Sequence, residues 1–161
     1  MSKTLFTNVY DAFFRKITED MYMELTKEDT ENMVQELLLS ALSWFEFPRV
    51  DINDYDLATG CFNVALSLDE INIISTYMVK EWLGQQLASV ENTRMKYSGT
   101  DFKMTSQANH LSKLLSLLAE CQRQSHHMQR LYKRRYTDEN GGIHSNWAVF
   151  GKSTFDDEVR D

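Results

Sequence analysis

Pro48 is the only proline in the chain, and the stretches on either side of it are free to run as long helices. Proline fixes φ and lacks an amide donor, so one proline and six glycines in 161 residues leave little material for closely spaced turns. A turn-rich β fold is thereby disfavoured. The length suits one domain with a sizeable core, and an apolar fraction of 42% is ordinary for a globular chain. The expected architecture is mainly α: a helical bundle of three to four amphipathic helices, with one long C-terminal helix and an extended C-terminal arm. Residues 1–140 form the predicted helical domain, and 141–161 the arm and acidic tail.

Periodicity places the elements. Val9, Phe13 and Ile17 recur at i, i+4, i+8 and predict a short amphipathic helix over Phe6–Thr18. A linker, Glu19–Leu25, leads to Thr26-Lys27-Glu28-Asp29, which resembles a capping box with Asp in the Glu position. Glu28, Asp29 and Glu31 suit the dipole of a helix starting there. Val34, Leu37, Leu38, Ala41 and Phe45 are its predicted buried face, and Pro48 its stop. Val50–Gly60 reads as an acidic loop, followed by Cys61–Leu66, for which strand and extended linker both remain open. Ser67-Leu68-Asp69-Glu70 matches the S-x-x-E capping box and predicts a helix to about Ser89. Ile71, Ile74, Met78, Trp82 and Gln85 trace its stripe, with Leu83, Leu87 and Val90 alongside. Gly84 would weaken that helix by about 1 kcal/mol relative to alanine, and suggests a close helix crossing. Glu91–Gly99 breaks the pattern.

The polar run Asp101–Leu111 then opens the longest predicted helix, Thr105–Tyr136, with Asp101, Thr105 or Ser106 as caps. Its predicted core stripe is Leu111, Leu115, Leu118, Cys121 or Gln122, Ser125, Met128 and Tyr132. The helix turns polar after Cys121, so its second half either projects into solvent or packs against something polar. Asn140-Gly141-Gly142 ends the regular region, Ile143–Gly151 is a candidate extended arm, and Lys152–Asp161 an acidic tail.

The net charge of −7 conceals a segregation. Residues 1–93 carry 6 Lys/Arg against 16 Asp/Glu, residues 94–135 carry 9 against 2, and residues 136–161 carry 2 against 6. Two solvated faces of unlike charge are one reading; an acidic face meeting a basic face on the next copy, as in a head-to-tail ring, is the other. No run approaches the roughly 20 apolar residues of a membrane span, and Met1–Leu5 lacks a signal-peptide core, so a cytosolic protein is expected. Cys61 and Cys121 are expected to be reduced and packed.

No catalytic constellation emerges. His126 and His127 are adjacent and point about 100° apart on a helix, so they cannot share a metal. His144 lies beside Ser145 without an acidic orienter. Asp51-x-Asn53-Asp54-x-Asp56 lacks the glycine and glutamate of a calcium loop. No glycine-rich phosphate loop occurs. The chain is expected to be no enzyme, with no cofactor and no metal. What stands out is a basic aromatic cluster: Arg130, Lys133, Arg134 and Arg135 beside Tyr132 and Tyr136. Compensation of the helix dipole, nucleic-acid phosphates and an acidic protein partner are its three readings. Trp44, Trp147, Phe150 and Phe155 add exposed aromatics, three of them beyond the last helix, where docking into another chain or folding back on the bundle are the options.

Several stretches in order carry a resemblance: Leu37-Leu38-Leu39 through Phe47-Pro48, Leu68-Asp69-Glu70-Ile71, Met78-Val79-Lys80-Glu81-Trp82-Leu83, Asp101-Phe102-Lys103-Met104-Thr105-Ser106-Gln107-Ala108-Asn109-His110-Leu111, and Arg134-Arg135-Tyr136. In that order and spacing, over residues 5–150, the chain resembles head–tail connector (adaptor) proteins from the neck of tailed bacteriophages. The resemblance implies a mainly helical virion protein in a ring, commonly of twelve copies, assembled in the host cytoplasm. It implies as partners the portal protein and a stopper or tail-completion protein, with double-stranded DNA passing through and no membrane. A stopper or tail-completion protein is the alternative within the neck, and a small helical DNA-binding or packaging regulator the alternative outside it. Under the resemblance, Arg130, Lys133, Arg134, Arg135, Trp147 and Phe150 are the expected partner-contacting residues.

Overall fold

The computed structural model describes residues 3–17, 27–96, 104–137 and 142–145. Among them the fold is mainly α-helical, with four helices and two small antiparallel sheets. No helix among the described residues is long and apolar enough to cross a membrane.

Helix α1 spans Phe6–Phe14 and buries Phe6, Val9 and Phe13, with Ile17 buried just beyond it. It ends earlier than the predicted Thr18 because the chain tightens. Lys16 and Ile17 donate to the carbonyls of Phe13 and Phe14, three residues back rather than four. Helix α2, Lys27–Leu42, closes in the same way, with Ser43, Trp44 and Phe45 donating to Ser40, Ala41 and Leu42. Its whole predicted face, Val34, Leu37, Leu38, Ala41 and Phe45, is buried.

The first sheet has the order β1-β3-β2, from Thr4–Leu5, Cys61–Phe62 and Tyr55–Asp56. Thr4 and Tyr55 both pair with Phe62. Only Cys61–Phe62 of the run to Leu66 is strand, and the predicted acidic loop contributes β2. Phe6 lies 4.9 Å from Phe62 and 6.1 Å from Tyr55, so the sheet packs through aromatic edges onto the start of α1.

Helix α3, Leu68–Lys96, begins with the predicted capping box. The Glu70 carboxylate accepts from the Ser67 amide at 2.7 Å, and the Ser67 hydroxyl accepts from the Glu70 amide at 3.3 Å. Ile74, Met78, Trp82 and Leu83 are buried as predicted, while Ile71 is half-buried and Gln85 exposed. The single stripe was too narrow a reading, because Ile73 through Met78 are all buried. The reason is position: α3 contacts α1, α2 and α4, so little of its middle faces water. Two further expectations are corrected. The helix continues through the predicted break to Lys96, and among the described residues a Cβ at Gly84 would meet nothing within 4 Å, so no close crossing is seen there among them.

Helix α4 spans Met104–Arg134, which puts Thr105 and Ser106 inside its first turn and not at the cap. Asp101 lies outside the described residues. The buried line is Leu114, Cys121, Ser125, Gln129 and Tyr132, with Leu118 and Met128 half-buried. Of the predicted stripe, Cys121, Ser125 and Tyr132 are buried and Leu111, Leu118 and Met128 half-buried; Leu115, 48% exposed, and Gln122, exposed, lie one row off, where Leu114 and Gln129 take the buried positions. The helix stops at Arg134, where Arg135–Thr137 (β4) pairs antiparallel with Ile143–Ser145 (β5), Arg135 opposite Ser145. The predicted arm therefore starts as a strand paired with the end of the bundle; residues 146–161 lie outside the described residues.

Candidate interaction surface

The polar second half of α4 packs against polar partners. Gln129, 3% exposed, donates to the Trp44 carbonyl at 2.7 Å and to the Tyr77 hydroxyl, and accepts from the Glu46 amide at 3.2 Å. One turn on, the Tyr132 hydroxyl donates to Glu70 at 2.6 Å and accepts from the Arg49 amide at 3.0 Å. Arg49 sends its guanidinium to the carbonyls of Tyr132 and Arg135 and sits 4.2 Å over the Tyr132 ring. Burial and the bond to Glu70 push the Tyr132 phenol well above its usual range. Thus the segment between α2 and β2 is fastened to α4 through side-chain amides, a phenol and a guanidinium. Glu70 completes the joint, holding the start of α3 with one oxygen and Tyr132 with the other.

This joint fixes the basic cluster at the end of α4. Arg130, Lys133, Arg134 and Arg135 are all exposed. Lys133 and Arg135 also serve the fold: Lys133 binds Glu46 at 2.5 Å, and Arg135 approaches Asp69 at 3.5 Å. The Lys133 bond and charge hold the Glu46 carboxyl below its ordinary range. Lys133 and Arg134 lie in the last turn, where the helix dipole favours cations. Trp147 and Phe150 lie outside the described residues, as does Phe155, so the structure brings together only the four basic members of the predicted contact set.

Beside the cluster two aromatics face outward. Trp44 is 47% exposed, stacks on Tyr77 at 6.5 Å, and has the Lys80 ammonium 3.0 Å from its ring centroid. Phe47 is 76% exposed with φ at +54°, and the Lys133 ammonium lies 4.6 Å above it. In the sequence Phe47 stands out only within the connector-like stretch ending Phe47-Pro48 and not among the exposed aromatics, although its place before the only proline marks a bend.

A second feature is a mainly apolar groove of about 570 Å³ between the end of α1 and the facing sides of α3 and α4. Ile17, Trp82, Leu83, Leu114 and Leu117 line it, with Lys16, Lys113 and Glu120 also on its wall. Lys16 is exposed as a residue, yet its ammonium donates to the Asn72 carbonyl and the Ser75 and Thr76 hydroxyls at 2.7–2.8 Å. Desolvation there pulls it down to about 8, and the nearby Cys121 thiol offsets part of that. Since folding lowers this pKa below the 10.5 of a free lysine, the unfolded chain holds more protons between about pH 8 and 10.5. Stability supplied through Lys16 should therefore rise with pH over that window. Over that window the urea midpoint of the wild type should rise relative to that of Lys16→Met, the two running parallel below pH 7; parallel curves throughout, or a relative fall, would refute the assignment.

Cys61 and Cys121 are both buried free thiols, and the Cys121 thiol donates to the Thr76 carbonyl at 3.4 Å. His126 and His127 are exposed, and His144 stacks on Tyr136. In the acidic loop Asp51 accepts from the Asn53 amide, Asp54 from the Asn63 side chain and Asp56 from Ala58 and Thr59, so these carboxylates organise their own turns. Among the described residues no group of three His, Cys, Asp or Glu is placed to hold a metal ion. No protein-family model matches the chain, and no curated protein or solved structure is significantly similar to it.

Proposed function

We propose that this chain is a structural component of a bacteriophage neck, an adaptor-type protein that forms a ring between the portal vertex and the tail or next neck ring and lets DNA pass. The observation that carries this reading is the exposed basic end of α4, with Arg130 and Arg134 presented on a helix that a buried polar joint holds in place. A rigid charged end suits docking onto another protein better than chemistry, and its cations complement acidic partner surfaces. The order of the connector-like stretches along the sequence and the mainly helical fold support the same reading. Within it, the ring of identical copies, commonly twelve, contacts the portal on one side and a stopper or tail-completion protein on the other. Arg130, Lys133, Arg134, Arg135, Trp147 and Phe150 are its partner-contacting set.

Charge reversal tests this. Arg130→Glu with Arg134→Glu leaves the Glu46 and Asp69 pairs intact, so the protein should fold while complementation of neck assembly drops by roughly tenfold or more. Unchanged assembly would overturn the assignment of these residues.

A second reading has one observation in its favour: residues 121–136 contain Arg123, Arg130, Lys133, Arg134 and Arg135 and no acidic residue. A helical DNA-binding or packaging regulator would use that stretch on phosphates. With a net charge of −7, the chain as a whole repels a polyanion, which favours the protein partner. Gel shifts at physiological salt separate the two, the connector giving only weak non-specific retardation.

A further inference from the structure

We propose that Glu46 and Asp69 are internal stand-ins for a partner's carboxylates: they mask Lys133 and Arg135 at the basic end of α4, and an acidic protein surface docks there by displacing them. The proposal rests on the reading of that end as a docking site and adds how the site is regulated. Glu46 Oε2 lies 2.5 Å from the Lys133 ammonium, and Asp69 Oδ2 lies 3.5 Å from the Arg135 guanidinium. The two carboxylates reach the cluster from separate places, the segment after α2 and the first turn of α3. Two of the four basic residues thus already hold a carboxylate of their own chain. Arg130 and Arg134 stand exposed on the same helix end and present the first contacts to a partner.

Both masks are open to exchange. The Glu46 side chain is 57% exposed and that of Asp69 48%, so an incoming carboxylate reaches Lys133 and Arg135 without unfolding anything. Exposed pairs of this kind contribute little to stability, because each charge is well solvated when apart. The buried joint survives their loss: Glu46 is tied to Gln129 through its backbone amide, and Tyr132 bonds to Glu70 rather than to Asp69. A partner that offers carboxylates at both positions replaces the two internal pairs, whereas a single stray acid must break one pair to make another. That selectivity matters in this chain, since residues 1–93 carry 16 Asp/Glu against 6 Lys/Arg and would draw copies together indiscriminately. The bond is shorter at Lys133, where it also holds the Glu46 carboxyl below its ordinary range, so Glu46 is the stronger mask.

Fluorescence anisotropy with a labelled polyglutamate peptide at low salt tests the masking. Glu46→Gln keeps the side-chain size and the backbone bond to Gln129, and should tighten binding roughly threefold. Asp69→Asn should tighten it less, and the two substitutions together more than either. Glu36→Gln removes the same charge from an exposed position on α2 and should change binding far less. Equal gains from Glu46→Gln and Glu36→Gln, or none from Glu46→Gln, would overturn the masking and leave the basic end standing as a docking site. A peptide that binds neither the wild type nor any variant would sink the acidic-partner reading, and the masking with it. A gain seen with duplex DNA and not with the peptide would also overturn the proposal, in favour of phosphates.

Discussion

Replacing Glu70 with alanine is expected to lower the free energy of unfolding by about 3 kcal/mol, more than a typical capping residue is worth. Glu70 is 2% exposed and accepts from the Ser67 amide, the Ser67 hydroxyl and the Tyr132 hydroxyl. Alanine strands all three donors beside a carboxylate-sized void. Glu70→Gln keeps the volume and one acceptor oxygen, so roughly 1 kcal/mol is expected. Urea denaturation with an unchanged m-value distinguishes these outcomes. Equal, small losses for both substitutions would mean that the carboxylate is solvated and the joint between α3 and α4 is weak.

Gln129→Leu should cost about 2–3 kcal/mol, although it puts an apolar side chain of similar size into a buried site. The amide meets three groups at once, the Trp44 carbonyl, the Glu46 amide and the Tyr77 hydroxyl, and leucine satisfies none of them. The loss should be local as well as global. Hydrogen exchange at the Glu46 and Arg49 amides should accelerate more than exchange in α1, since Gln129 and Tyr132 are what hold that segment. Uniform acceleration across the protein would show that the segment has no separate fastening.

The parts of the fold legible in the sequence are those where one residue does one thing. Val9, Phe13 and Ile17, and the α2 face from Val34 to Phe45, are apolar, regularly spaced and buried. The Ser67–Glu70 box is a local exchange of hydrogen bonds, and it formed as read. Legibility failed where burial is shared among several neighbours. Helix α3 hides Ser75 and Thr76 as fully as Ile74, so its amphipathic signal is faint; their hydroxyls accept the Lys16 ammonium from just beyond the end of α1. On α4 the leucines mislead, since Leu115 and Leu117 face outward while Gln129 faces in.

The candidate surface was half legible. The basic cluster is exposed where a helix end was expected, and the polarity after Cys121 correctly raised packing against something polar as one of two options. Its partners could not be named, because the bond between Arg49 and Tyr132 joins residues 83 positions apart and no local pattern encodes it. Nor does the sequence distinguish Arg130 from Lys133. Only the three-dimensional fold shows that Lys133 also braces Glu46 and Phe47.

Assembly is the decisive property. Electron microscopy of the purified protein, alone and mixed with portal, measures it directly. Closed rings of identical copies in register with the portal, with a central channel open to duplex DNA, are the expected result. Particles that remain single copies in the presence of portal, or that bind DNA tightly without forming rings, would contradict the assignment to the phage neck.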